Sequence, residues 1–92
     1  MLDLIHAYEN YLSKVKQASA NTVSSYMRDI RQFAEWLQRS ENMDVLGAAQ
    51  VNISDYLSDL QAQGKSGSTA SRTLASLKNF YAYLVSAGFL ER

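Results

Sequence analysis

A chain of 92 residues without a single proline lacks the residue that most often breaks helices and shapes loops. Average usage near 5% would place about four or five there. The four glycines, at 47, 64, 67 and 88, all fall between patterned segments, and no Asn-Gly or Asp-Gly pair marks a hairpin turn. The chain therefore reads as all-α. Its length fits one domain near the lower end of the range that a single core supports. With 47% apolar and 20% charged residues it is globular rather than disordered.

Apolar periodicity predicts four helices. Leu2, Ile5, Tyr8, Leu12 and Val15 recur at three- and four-residue steps, which predicts a first helix over about 3–16. After a break at Gln17-Ala18, Ser19 can cap a second helix over about 20–39, carrying Val23, Tyr26, Met27, Ile30, Phe33, Ala34 and Leu37. Residues 40–50 lose the pattern and read as a loop. A third helix over about 51–63 turns Ile53, Tyr56, Leu57 and Leu60 inward and ends at Gly64, a position suited to left-handed geometry. Beyond a tight turn at Lys65-Ser66-Gly67, Ser68 is placed to cap a fourth helix over about 68–87. Its inward stripe is Ala70, Leu74, Leu77, Tyr81 and Leu84, closed by Gly88. Roughly three quarters of the chain would be helical, against the usual third.

Formal net charge is zero, which by itself disfavours a strongly basic nucleic-acid binder. The distribution is uneven, however. Glu41, Asp44, Asp55 and Asp59 stand in a stretch without a basic residue, and Lys65, Arg72 and Lys78 stand in a following stretch without an acidic one. The longest apolar run, Phe80 to Val85, is six residues, far below the roughly 20 a membrane span requires. The N-terminus lacks the pattern of a secretion signal. With no cysteine there is neither a disulfide framework nor a thiolate metal site, in keeping with a cytoplasmic protein.

On the predicted wheel, helix four opposes its core stripe with Arg72, Ser76, Asn79 and Tyr83, flanked by Ser71, Ala75, Lys78 and Ala82. Short side chains there would admit a DNA groove, with Arg72 and Lys78 within reach of phosphates or guanine edges. The exposed amides near Ser68 and Thr69 would suit an anion. A plain solvated surface is the other reading. Because Arg72 lies opposite the core on this wheel, Arg72→Ala is expected to change stability by no more than about 0.5 kcal/mol. Helix two presents Asn21, Ser25, Arg28 and Gln32 outward, and Thr22 serves either a phosphate or local capping. Asp29, beside the core stripe, is expected to pair with a basic residue of a neighbouring helix.

Catalytic constellations are missing. His6 is the sole histidine, most tyrosines sit on inward stripes, and no phosphate-binding glycine loop or zinc spacing occurs. No cofactor or metal is expected.

Two runs carry a family resemblance. Ser19-Ala20-Asn21-Thr22-Val23-Ser24-Ser25-Tyr26-Met27-Arg28-Asp29-Ile30-Arg31-Gln32-Phe33 resembles the second helix of the N-terminal core-binding domain of tyrosine recombinases, the phage-integrase and Xer-like proteins. Ser68 through Leu84, with Arg72, Leu74, Leu77, Lys78 and the Phe80-Tyr81 pair, resembles that domain's fourth helix. The resemblance implies an orthogonal, SAM-like four-helix bundle forming half of a clamp around duplex DNA at a recombination half-site. It further implies candidate DNA contacts at Thr22, Ser25 and Arg28 on helix two, and at Lys65, Ser68, Thr69, Arg72, Ser76, Lys78 and Asn79 around helix four. In such proteins a catalytic domain follows. Residues 1–92 are thus expected to be a single core-binding domain without it, non-catalytic and monomeric alone, with double-stranded DNA and further protomers of the full recombinase as partners. Two rivals stand beside this reading: a helical protein-interaction module, and a transcription regulator using helix three, the Gly64–Gly67 turn and helix four as a helix-turn-helix.

Overall fold

A computed structural model describes residues 4–90; Leu2 and the expected helix start at residue 3 lie outside the described residues. Among the described residues the fold is all-α, with helices α1 (Leu4–Asn10), α2 (Ala20–Ser40), α3 (Gln50–Ala62) and α4 (Gly67–Ser86). A π-helical turn, Tyr11–Val15, continues α1, and a single 3-10 turn, Val45–Gly47, interrupts the loop before α3.

The first helix departs from its prediction at the π turn. Lys16 N–H donates to Tyr11 O at 3.0 Å, a five-residue step that widens the turn by one residue. That extra residue shifts the phase of everything after it, so Val15, expected inward, is 69% exposed. Gln17, at φ 53°, then reverses the chain into α2.

At α2 the pattern holds. Ser19 caps it, its hydroxyl accepting from Thr22 N–H at 3.2 Å. Val23, Met27, Ile30, Phe33 and Leu37 are buried, with Tyr26 and Ala34 half-buried beside them. This stripe is the spine of the core. Tyr8 and Leu12 close on it from one side, Tyr56 and Leu60 from α3, and Leu77, Phe80 and Leu84 from α4. Phe33 meets Tyr56 at a centroid distance of 5.2 Å, and Tyr8 meets Phe80 edge-on at 5.1 Å.

Helix α3 starts one residue before the expected point. The side chain of buried Asn52 accepts from Ala49 N–H at 2.8 Å, which satisfies an amide the helix itself cannot. Its C-terminus is a Schellman motif on Gly64, at φ 91°: Lys65 N–H donates to Leu60 O and Gly64 N–H to Gln61 O, both at 3.0 Å. Nothing lies within 4 Å of a Cβ built on Gly64, so the backbone conformation alone selects glycine there. Gly64→Ala is expected to cost about 1–2 kcal/mol in a denaturant titration, with the native spectrum unchanged. A neutral result would mean that this turn is not left-handed in solution.

The start of α4 corrects the predicted cap. Ser66, not Ser68, is the N-cap, its hydroxyl accepting from Thr69 N–H at 3.1 Å, and Gly67 is the first helical residue. Ser66 is favoured because Thr69, whose amide donates to it, also places its own hydroxyl 3.1 Å from the Ser66 hydroxyl. Tyr81 ties α4 to the 3-10 turn, donating to Val45 O at 2.7 Å. Burial, with a smaller contribution from Asp44, pushes the Tyr81 phenol well above its ordinary pKa, so the donor stays protonated.

Candidate nucleic-acid interface

Helices α2 and α4 run antiparallel along a polar seam. The centre of the seam is Asp29 of α2, 1% exposed. Arg72 Nη2 donates to Asp29 Oδ1 at 3.0 Å, and Ser76 Oγ donates to Oδ2 at 2.8 Å. One turn along, Asn79 Nδ2 approaches the Tyr26 hydroxyl at 3.4 Å. Arg72, Ser76 and Asn79 stand four and three residues apart on α4, and Ser25 and Asp29 four apart on α2, so two stripes face each other. The pairing expected of Asp29 is present, and its partner is Arg72.

Ser76 does not occupy the place expected of it. It is fully buried, its hydroxyl spent on Asp29, and it offers nothing to a groove. The physical reason is the phase of α4. Its buried positions are Ala70, Thr73, Ser76, Leu77, Phe80 and Leu84, while Leu74 and Tyr81 are half-buried. Relative to the predicted stripe the core face is turned by about 60°, at 100° per residue. A buried carboxylate on α2 must be met by short polar side chains on α4. Thr73 and Ser76 therefore turn inward, and Leu74 and Tyr81 move toward α3.

The same rotation makes the expected flank the outward centre. Ser71, Ala75 and Ala82 are exposed there, with Arg72 and Asn79 on the side of α2 and Lys78 on the side of α3. Arg72 is divided: its side chain is 47% exposed, with one edge held by Asp29. That ion pair places Arg72 beside the core and not opposite it, so a measurable stability effect of Arg72→Ala is expected in place of a negligible one.

The remaining candidates are accessible to different degrees. Arg28, Lys65, Ser68 and Lys78 are exposed, and Ser25 and Thr69 are half-buried. Thr22 is exposed, but its hydroxyl already accepts from Ser19 Oγ at 2.9 Å, so local capping is served first. Among the described residues, Arg28, Lys65 and Lys78 enter no ion pair, whereas Arg31 lies 3.8 Å from Glu9. Among the described residues no group of three His, Cys, Asp or Glu is placed to hold a metal ion, and no helix is long and apolar enough to cross a membrane.

The described residues form a small all-helical domain whose antiparallel pair α2 and α4 presents short side chains and cations outside any ion pair. The chain belongs to the family of the phage integrase N-terminal SAM-like domain, whose profile matches residues 5–88. It is 36% identical over 88 residues to a protein of Caldanaerobacter subterraneus subsp. tengcongensis provisionally named a tyrosine recombinase, covering 96% of this chain and 30% of that one. It is 33% identical over 84 residues to the tyrosine recombinase XerD of Agrobacterium fabrum, covering 91% of this chain and 25% of the relative. To the tyrosine recombinase XerC of Lacticaseibacillus casei it is 29% identical over 89 residues, with 96% and 30% covered. The chain thus spans less than a third of these relatives' length. No solved structure gives a significant match.

Proposed function

We propose that this domain is the DNA-binding arm of a site-specific tyrosine recombinase, laying α2 and α4 against duplex DNA at a recombination half-site. The observation that carries the reading is the outward face of α4 joined to α2. A strip of serine and alanine lies between Arg72 and Lys78, with Arg28 and Lys65 at its borders and no carboxylate paired to three of these four cations. Short side chains let the helix approach a groove, and the cations meet phosphates on either side. Thr22, Ser25, Ser68, Thr69 and Asn79 supply neutral hydrogen-bonding groups on the same helices; Ser76 is not among them.

The domain binds and does not cut. Strand cleavage and rejoining through a phosphotyrosine linkage belongs, in this reading, to the whole recombinase, acting as several protomers on DNA in the cytoplasm, whereas the domain alone is a monomer. The integrase family match favours this reading over a helix-turn-helix regulator.

Four cations at the interface set the expected salt dependence. If each neutralises one phosphate, log K against log salt falls with a slope of about −3 to −4. Fluorescence anisotropy with a labelled duplex between low and moderate salt measures it. A slope near zero contradicts the proposed use of Arg28, Lys65, Arg72 and Lys78.

A further inference from the structure

Beside the α2–α4 seam, a cleft of about 430 Å³ opens between the π turn, the start of α2 and the C-terminal half of α4. Its volume falls within the range of small-ligand sites. Tyr8 forms one wall. It is 1% exposed, and its hydroxyl is, among the described residues, the single buried side-chain polar atom without a hydrogen-bond partner. Burial, with Tyr26 and Tyr11 adding to it, pushes the Tyr8 phenol up to about 12, so the group remains a donor. A phenylalanine would fill the same space without stranding a hydroxyl, so core packing does not account for this tyrosine.

The remaining walls are of three chemical kinds. Tyr11 and Tyr83 present ring surface, their centroids 4.6 Å apart. Asn79 brings a side-chain amide to the edge. Lys16 and Thr22 stand at the mouth; the Thr22 and Val23 amides there are already held by Ser19, so the Lys16 cation is the anion-binding group. Aromatic surface suits a base, an amide and a phenol suit its polar edge, and a cation suits a phosphate. We propose that this cleft receives a single unpaired nucleotide, its base against Tyr11 and Tyr83 with the Tyr8 hydroxyl and Asn79 on its edge, and its phosphate at Lys16. The proposal rests on the DNA-binding reading, since Thr22 and Asn79 belong both to the cleft and to the face assigned to duplex DNA.

Three probes test it on the 92-residue chain: a flush duplex, the same duplex carrying one unpaired adenine nucleotide, and deoxyadenosine 5′-monophosphate. Base stacking makes the bulged duplex bind about tenfold tighter than the flush one, with ring resonances of Tyr11 and Tyr83 shifting only for the bulge. Tyr8→Phe abolishes the preference while leaving thermal stability equal or higher, and Lys16→Gln, at an exposed position, reduces it. The same shifts with the free mononucleotide show that a nucleotide outside DNA is accepted as well. Equal binding of both duplexes with Tyr11 and Tyr83 unmoved overturns the cleft and leaves the DNA-binding reading intact. If neither duplex binds, the DNA-binding reading falls and the cleft proposal, which rests on it, falls with it.

Discussion

Leu77→Ala should lower the unfolding free energy by about 2 to 5 kcal/mol, the largest effect expected of a single truncation in α4. Leu77 is fully buried, between Phe80 and Ser76 on the core face and opposite the α2 spine. Truncation removes apolar contacts and leaves a cavity in a close-packed core rich in aromatic side chains, which relaxes only in part. Urea titration followed by far-ultraviolet circular dichroism reads the loss. For a domain this small the upper end of that range is a large share of the whole stability. Leu74→Ala, on the half-buried flank, is the comparison and should cost less than Leu77→Ala. If the two cost the same, the rotation of α4 described above is incorrect.

The second large effect belongs to Arg72. Removing its guanidinium leaves the buried Asp29 carboxylate with only the Ser76 hydroxyl, and Arg72→Ala is expected to cost about 1–3 kcal/mol of stability. A fully buried pair would cost more, but Arg72 is 47% exposed and water can partly replace it. A double-mutant cycle with Asp29→Asn isolates the pair, with a coupling of about 0.5–3 kcal/mol expected. Binding separates from folding in the same set. Arg72→Ala should weaken DNA binding by roughly 1 to 3 kcal/mol if the free edge of the guanidinium reads a base. Asp29→Asn keeps that cation and loosens its tether, so it should bind DNA as well as the unaltered chain or better. Loss of binding in Asp29→Asn with the helix content preserved would show that the tether itself orients Arg72.

Most of the helical framework was legible in the sequence because α2 carries an uninterrupted apolar period and each boundary has its own chemistry. Ser19 accepts an orphan amide, and Gly64 adopts a conformation other residues avoid. Three things were not legible. The π turn at Tyr11–Val15 obeys no local signal, since one inserted residue leaves composition unchanged while shifting the phase that follows. The rotation of α4 depends on a residue 47 positions away: only a buried Asp29 makes Ser76 a core residue, and periodicity counts apolar side chains alone. The cleft at Tyr8 draws on three separate segments, and its polar groups are ordinary residues until the fold gathers them. Arg72 illustrates the halfway case. Its partner class was inferable from Asp29, but reading Arg72 as opposite the core hid the fact that it was that partner.

The most direct test of the DNA-facing assignment is a titration of the isotopically labelled chain with a short duplex, followed by amide chemical shifts. Shifts are expected at residues 21–28 of α2 and at residues 65–79, the preceding turn and most of α4, with the exposed positions Ser71, Ala75 and Lys78 moving and buried Ser76 following only through the Asp29 carboxylate it shares with Arg72. Shifts concentrated in residues 41–60, the acidic segment with α3, would contradict the account and favour a protein-docking role.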